Sequence, residues 1–178
     1  NKVCLITGFC RWFPVICVLI FAVACKQPTT SQQFVERGFY YWKSRLQVSP
    51  TETAALQQLQ VKKLYVKFFD VEWNEEASSP QPVAKLKVDS ASLQQLRQQQ
   101  VQLIPVVFIT NEALTKLDTA GSKALATKIT TLLTTMLQKQ QLKQVPEFQL
   151  DCDWTVTTKE NYFNLLRTVK QLMITDTN

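Results

Sequence analysis

The sequence contains no histidine among its 178 residues. Catalytic centres built on a histidine base, and metal sites with histidine ligands, are therefore excluded. Glycine and proline are also scarce, with 3 and 7 residues, whereas hydrophobic residues make up 46% of the chain. This composition supplies enough apolar surface for a core, so it excludes a disordered or collagen-like protein, and the length predicts a single folded domain.

Four of the five cysteines lie within the first 25 residues, and only Cys152 lies beyond them. A disulfide framework in the folded part is therefore not expected. The apolar run at residues 15–25 follows the basic residues Lys2 and Arg11, which is the order of a signal peptide. The run is too short for a membrane-spanning helix, which needs about 20 apolar residues.

The end of this run, AVAC at residues 22–25, resembles the lipobox of bacterial lipoproteins, in which the cysteine is acylated after cleavage. We predict a lipoprotein signal peptide over residues 1–24, lipidation of Cys25 and a polar tether over residues 25–37. The acyl chains would bind membrane lipid, since each buried methylene contributes about 0.8 kcal/mol. The protein is thus expected in the cell envelope, anchored to a bacterial membrane. An ordinary secretory signal or a short anchor is the alternative.

The formal net charge is +6, from 20 basic and 14 acidic residues. The lysine clusters Lys62 with Lys63 and Lys85 with Lys87 lack the interleaved aromatic residues of a nucleic-acid patch. We interpret them as a solvated face and expect no nucleic-acid partner.

From residue 38 onwards, strand-like and helix-like segments alternate. The strand candidates are residues 38–42, 63–73, 103–110 and 147–154. Helices are predicted to begin at the S-x-x-E capping box of residues 49–52, over residues 92–100, 112–117 and 122–142, and at the T-x-x-E box of residues 157–160. Residues 74–82 are predicted to form a loop, and residues 84–89 a short extra strand.

Four β-α units in series predict parallel strands with helices outside, in either an open doubly wound sheet or a barrel. The sequence has no glycine-rich dinucleotide turn and no phosphate-binding loop, so we prefer the barrel. A complete barrel has eight units and about 250 residues. The predicted fold class is therefore α/β, with residues 38–178 forming parallel (β/α) units, half of a TIM-type (β/α)8 barrel.

Four segments carry a resemblance to a known family: FYYWK at residues 39–43, KKLYVKFFDVEW at 62–73, IPVVFITN at 104–111 and QLDCDWT at 149–155. In this order they resemble a family of uncharacterised bacterial lipoproteins with a glycoside-hydrolase-like (β/α) barrel. The resemblance covers residues 39–173 and implies a longer chain, of which this sequence looks like the N-terminal half. It also implies that glycans are the compounds hydrolysed or processed.

Functional groups of (β/α) barrels gather at the carboxyl ends of the strands, so the last polar residues of each strand form the candidate site. The candidate catalytic residues are the carboxylates Asp153, Glu72, Asp151 and Asp70, with Asp153 the leading candidate and Glu72 the next. The candidate substrate-binding residues are Trp42, Lys43, Trp73, Asn111 and Trp154. Each i, i+2 pair of acids points to one side of its strand, about 6.5 Å apart, which suits a general acid beside an ionised partner.

The same acids also have a structural interpretation, in which they cap helices or pair with Lys43 and Lys67. Cys152 alternates with Asp151 and Asp153, so it is predicted to face the helices as an apolar residue. No metal-loop spacing is present, and no metal or other cofactor is expected. Three functions remain open: glycan processing, glycan binding without turnover, and binding of a protein partner.

Overall fold

The computed structural model describes residues 35–142, 145 and 147–175. The predicted signal peptide, the lipidation of Cys25 and most of the tether lie outside these residues. The described residues from Glu36 onwards belong to one compact unit.

Within these residues, strands and helices alternate as the sequence predicts. Their order is β1 (Gly38–Tyr41), β2 (Arg45–Leu46), α1 (Pro50–Gln58), β3 (Lys63–Asn74), β4 (Ser79–Val83), β5 (Lys87–Val88), α2 (Ser90–Gln98), β6 (Gln102–Ile109), α3 (Asn111–Thr115), α4 (Thr119–Lys139), β7 (Gln149–Cys152) and α5 (Lys159–Thr175).

The main sheet has the strand order β1-β3-β6-β7, and these three pairings are parallel. The sheet is curled into a half-barrel, with helices connecting its parallel strands. This confirms the predicted α/β class and the half-barrel of (β/α) units. Strands β2 and β5 form a separate two-stranded parallel sheet.

The strand register assigns side chains to two faces of the main sheet. The convex face carries Leu64, Val66, Val107 and Ile109, which are 0–3% exposed and pack against the helices. Helix α4 contributes a buried stripe that includes Leu125, Ile129, Leu133 and Leu137. Helix α5 buries Leu165 and Val169, whereas Phe163 and Leu166 are only half-buried.

A β-bulge in β3 decides which way Asp70 points. The pairing of β3 with β6 shifts register between Lys67 and Phe69, and both Phe68 and Phe69 are buried. Strict alternation would place Asp70 on the convex face with Val66, but the extra residue returns it to the concave face, where Lys67 lies. The bulge therefore brings these two residues, three positions apart, into contact.

Proline is accommodated in β6 by its position. The backbone N–H of Gln102 donates to Lys62 O, and that of Thr110 donates to Val71 O, so even-numbered residues of β6 donate towards β3. Pro105 therefore faces the β7 side, where β7 begins only opposite Val106. The missing N–H costs no ladder hydrogen bond there.

The prediction of a loop over residues 74–82 is wrong for its second half. Residues Ser79–Val83 form β4, which pairs antiparallel with the end of β3. Because β6 pairs with one edge of β3, β4 must lie on the other edge, beyond the end of β1. Pro80 and Pro82 argue against a strand in the sequence, but an edge strand tolerates them, since one side of it needs no donors.

Candidate functional site

The amino-terminal half of the concave face is filled by its own side chains. The Tyr40 hydroxyl, on β1, donates to Gln149 Oε1, on β7, at 2.8 Å, and the Tyr65 hydroxyl donates to Glu147 Oε1 at 2.9 Å. The second bond raises the pKa of Tyr65, which keeps its phenol protonated as the donor. Ile104, level with both tyrosines, is 0% exposed beneath them. At the carboxyl ends of the strands, by contrast, Trp42, Glu72 and Asp153 are exposed, and we call this region the open part of the face.

Two of the predicted carboxylates lie level with each other on the concave face, with one strand between them. Asp70 is level with Phe108 in the pairing of β3 with β6, and Phe108 is level with Asp151 in the pairing of β6 with β7. Both acids thus lie on the concave face, and two strand spacings place their Cα atoms about 10 Å apart. We call Asp70 and Asp151 the lower acidic pair.

Asp70 is buried in a charged and aromatic environment. Its Oδ2 accepts from Lys67 Nζ at 2.9 Å, and the two side chains are 12% and 18% exposed. Lys67 Nζ also lies 6.0 Å from the centroid of the Trp42 ring. Asp70 Oδ1 is buried without a hydrogen-bond partner in the described residues. Asp70 therefore pairs with Lys67, as the structural interpretation predicts. This ion pair adds Lys67 to the residues of the candidate site.

The other two carboxylates lie one step further along the same strands. Val71, Ile109 and Cys152 are level with one another, so Glu72 and Asp153 follow them on β3 and after β7. Both side chains are exposed. We call Glu72 and Asp153 the upper acidic pair. The side chains of Glu72, Asp153 and Asp151 make no hydrogen bond or ion pair with the described part of the chain.

Trp42 forms a wall of the open part. It follows β1, is 46% exposed and stacks on Tyr40 with ring centroids 5.6 Å apart and an interplanar angle of 9°. Since Tyr41 is level with Val66, the next residue along β1 comes level with Lys67, in agreement with the contact between Trp42 and Lys67. An indole held in this way presents a flat apolar face to the open part.

Lys43 and Trp73 do not lie on the concave face, contrary to the prediction. Lys43 Nζ pairs with Glu52 Oε1 at 2.9 Å, at the start of α1. Trp73 alternates with Glu72 and turns to the convex side, where it lines a cleft of about 410 Å³ with α4. Lys116 Nζ lies 4.9 Å above the Trp73 ring. Both predictions fail because strand alternation sends neighbouring residues to opposite faces.

Asn111 and Trp154 belong to the packing of α5. Asn111 Oδ1 accepts a 2.6 Å hydrogen bond from Thr158 Oγ1, and Thr158 is 0% exposed. Helix α5 begins at Lys159, so this bond joins the starts of α3 and α5. Trp154 stacks on Tyr162 with a centroid distance of 6.2 Å, which places it at the rim above α5.

Cys152 faces the helices, as its alternation with the acids predicts. It is level with Ile109 and packs against the core. Burial, and then the carboxylates of Asp153 and Asp151, raise the pKa of its thiol to about 12. The thiol is therefore protonated at neutral pH and is not a nucleophile.

In the described part of the chain, no group of three or more acidic or cysteine side chains is arranged to hold a metal ion. Among the same residues, no helix combines the length and the apolarity that crossing a membrane requires. The sequence matches no protein-family model, and no curated protein matches it significantly.

Proposed function

We propose that the protein is a lipid-anchored protein of the cell envelope whose concave site binds a glycan and hydrolyses it with strand-end carboxylates. The observation that carries this proposal is the placement of Asp70 and Asp151 on either side of Phe108, at the open end of the half-barrel. Trp42 supplies a face on which a sugar ring can stack.

The separation of the acids favours one stereochemical course. Because side chains converge on the concave face of a curled sheet, the two carboxyl groups are expected about 7–10 Å apart. Inverting glycosidases hold theirs about 6.5–9.5 Å apart, which leaves room for a water, whereas retaining enzymes need about 5 Å. The lower acidic pair therefore fits inversion.

The roles of the two acids follow from their surroundings. Asp70 Oδ2 accepts from Lys67 Nζ at 2.9 Å and its Oδ1 has no partner among the described residues, so Oδ1 suits the base that takes a proton from the attacking water. The water oxygen bonds to the anomeric carbon as the glycosidic bond breaks, and a carboxylic acid on β7 protonates the departing oxygen. Asp151 lies level with Asp70 and suits that role. Asp153, one step beyond, stays the leading prediction from the sequence and is tested beside it.

The full chain, purified in detergent, should release reducing ends from one member of a polysaccharide panel. Asp151→Asn or Asp153→Asn should lower the rate about 100-fold or more if the residue is the acid, since proton transfer contributes about 10²–10⁴-fold. Glu76→Gln, an exposed acid in the β3–β4 turn, is the matched control. Full activity in both aspartate variants would contradict the assignment, and product of retained configuration would contradict inversion.

Glycan binding without turnover is the second candidate. The ion pair between Lys67 and Asp70 favours this function, because a carboxylate paired with a lysine can bind a sugar hydroxyl without taking part in hydrolysis. In that case Trp42→Ala abolishes binding and no substrate is hydrolysed. Hydrolysis that is lost in Asp153→Asn excludes this candidate.

Binding of a protein partner is favoured by an apolar surface on the other side of β1. Phe39 and Leu59 are 46% and 42% exposed and line a pocket of about 190 Å³ between β1 and α1. Exposed apolar surface of this kind marks many interaction sites. A partner that co-purifies with the full chain, and is lost in Phe39→Ser while glycan binding persists, would support this third function.

The envelope location rests on the AVAC sequence at residues 22–25. Mass spectrometry of the protein from its own membranes should show acyl chains on Cys25, and Cys25→Ser should move the protein out of the membrane fraction. An unmodified cysteine in the membrane fraction would contradict lipidation.

A further inference from the structure

A basic depression lies at the carboxyl end of β1, outside the acidic pairs. Its volume is about 670 Å³, and its lining includes Arg45, Lys85 and Lys87 together with Pro82 and Val83 of β4. None of its lining residues is acidic. We call this feature the basic depression.

Two of its cations are held directly beside each other. In the parallel pairing of β2 with β5, Arg45 is level with Lys87. Like charges in such a position repel each other and destabilise the pair of strands. None of the three cations forms an ion pair with the described residues. Asp89 accepts from the backbone N–H of Ser92 at 2.8 Å, and this bond lowers the pKa of Asp89 more than the charge of Arg45 does.

The backbone that carries these cations is fixed and locally strained. Ala84 adopts a left-handed conformation with φ 48°, which is unfavourable for a non-glycine residue. Between the two lysines, Leu86 is 8% exposed and its N–H donates to Phe68 O at 2.7 Å. Lys87 N–H donates to Ser44 O at 2.9 Å. Three exposed cations without an ion-pair partner among the described residues thus lie together on backbone that hydrogen bonds hold in place.

The depression adjoins the concave site along two connections. Val83 is the cross-strand partner of Asp70, and Arg45 follows Trp42 by three residues. We propose that Arg45, Lys85 and Lys87 bind the sulfate or carboxylate groups of an acidic glycan whose neighbouring sugar occupies the concave site. This inference rests on the proposed function and names its substrate class. Arginine binds such groups through two parallel hydrogen bonds, and the lysines add point charges.

Dextran, carboxymethyl dextran and dextran sulfate of equal length provide matched probes for the full chain. Titration calorimetry at low salt should show that both charged polymers bind about tenfold or more tightly than dextran, because each charge-assisted contact contributes more than a neutral one. The double variant Arg45→Gln/Lys87→Gln should lose about tenfold of that affinity. Lys123→Gln/Lys139→Gln removes the same charge from exposed positions of α4 and should change it less than about twofold.

The outcomes separate this inference from the proposed function. Equal losses in both double variants would show an effect of net charge and overturn the basic depression as a site. If Trp42→Ala weakens binding of all three polymers while Arg45→Gln/Lys87→Gln changes none, the glycan site stands and the anion site is wrong. If no polymer binds, and no member of the polysaccharide panel is bound or hydrolysed, both proposals fail.

An anionic membrane is the other source of negative charge. Vesicles of phosphatidylglycerol and phosphatidylcholine test it, with Cys25→Ser as the background so that acyl chains do not dominate. If Arg45→Gln/Lys87→Gln releases the protein from vesicles but leaves dextran sulfate binding unchanged, the depression contacts lipid and the glycan assignment is overturned. Thermal melts of each variant should match the parent and so confirm that the fold is intact.

Discussion

Replacing both members of the Lys67–Asp70 pair should stabilise the fold, whereas replacing either one alone should destabilise it. The pair is mostly buried, with 18% and 12% of the two side chains exposed, and Asp70 Oδ1 has no hydrogen-bond partner among the described residues. A buried ion pair contributes net stability only when its remaining polar atoms are also satisfied. Here one oxygen is not, so the pair is a poor contributor to stability.

The magnitude follows from these contacts. Lys67→Met leaves the Asp70 carboxylate buried and unpaired, which costs about 3 kcal/mol, at the lower end of the range for buried pairs because some exposure remains. In Lys67→Met/Asp70→Leu no buried charge remains, and removing the unsatisfied oxygen recovers about 1–2 kcal/mol. For a domain of this size, 1 kcal/mol shifts Tm by about 3–4 °C. We expect a Tm about 10 °C lower in the single variant and about 3–8 °C higher in the double variant.

Calorimetric melts of the parent, both single variants and the double variant form a double-mutant cycle. The same four proteins are titrated with glycan, and the double variant should be more stable but unable to bind. If the double variant is more stable but does not bind glycan, the Lys67–Asp70 pair serves function rather than stability. A double variant as unstable as Lys67→Met would refute the reasoning, because it would show that the ion pair contributes net stability despite the unsatisfied oxygen.

Three further predictions concern single side chains. A hydrogen bond from the Ser49 backbone, and then Lys43, lower the pKa of Glu52 from 4.5 to about 2. The ionised Glu52 therefore stabilises the fold above pH 4.5, and this contribution is lost as the pH falls towards 2. Glu52→Gln should flatten that part of a curve of Tm against pH. The pKa of Cys152 is about 12 rather than 9.0, so its thiol should react slowly at pH 8. Peptide mapping after treatment with iodoacetamide should show almost no labelling of Cys152 in the folded protein and rapid labelling in urea. Equal labelling in both states would contradict the burial of the thiol. Asn111→Ala should lower the free energy of unfolding by about 1–2 kcal/mol in denaturant melts, since the buried Thr158 hydroxyl loses its acceptor. Glycan binding should be unchanged in this variant. Weaker binding at equal stability would show that Asn111 contacts the glycan.

The parts of the fold that were predictable are those encoded by local periodicity. The continuous apolar strand β6, the aromatic strand β1 and the long helix α4 all appear where the sequence places them, with ends shifted by a few residues. The capping box at Ser49 is present in both of its hydrogen bonds, at 2.8 and 3.2 Å. Strand β4 was not predictable, because its pairing with β3 depends on an edge that only the assembled sheet provides, and its prolines indicate the opposite.

The site was partly predictable for a similar reason. Strand alternation correctly places Asp151 on the face opposite to Cys152, and the position of Asp70 on that same face depends on a bulge with no signal in the alternating pattern. The sequence predicts Lys67 as a partner for the acids, and the alternation of residues along β3 also predicts its position on the concave face. The pairing of Arg45 with Lys87 was not, since it joins two short strands far apart in the chain.

The filling of the concave face explains why function is expected at one end of it. The amino-terminal half uses hydrogen-bonded tyrosines to cover Ile104, and its polar atoms are paired at 2.8–2.9 Å. The carboxyl-terminal half instead has an unsatisfied Asp70 oxygen, and the neighbouring rim has adjacent like charges and a left-handed alanine. Each of these costs stability, and alternatives that cost less are available to a chain at every such position. An anionic group bound at this rim would compensate the adjacent charges of Arg45 and Lys87, and a hydroxyl bound on the concave face would satisfy the Asp70 oxygen. Both groups lie at the end of the strands where barrels carry their active sites.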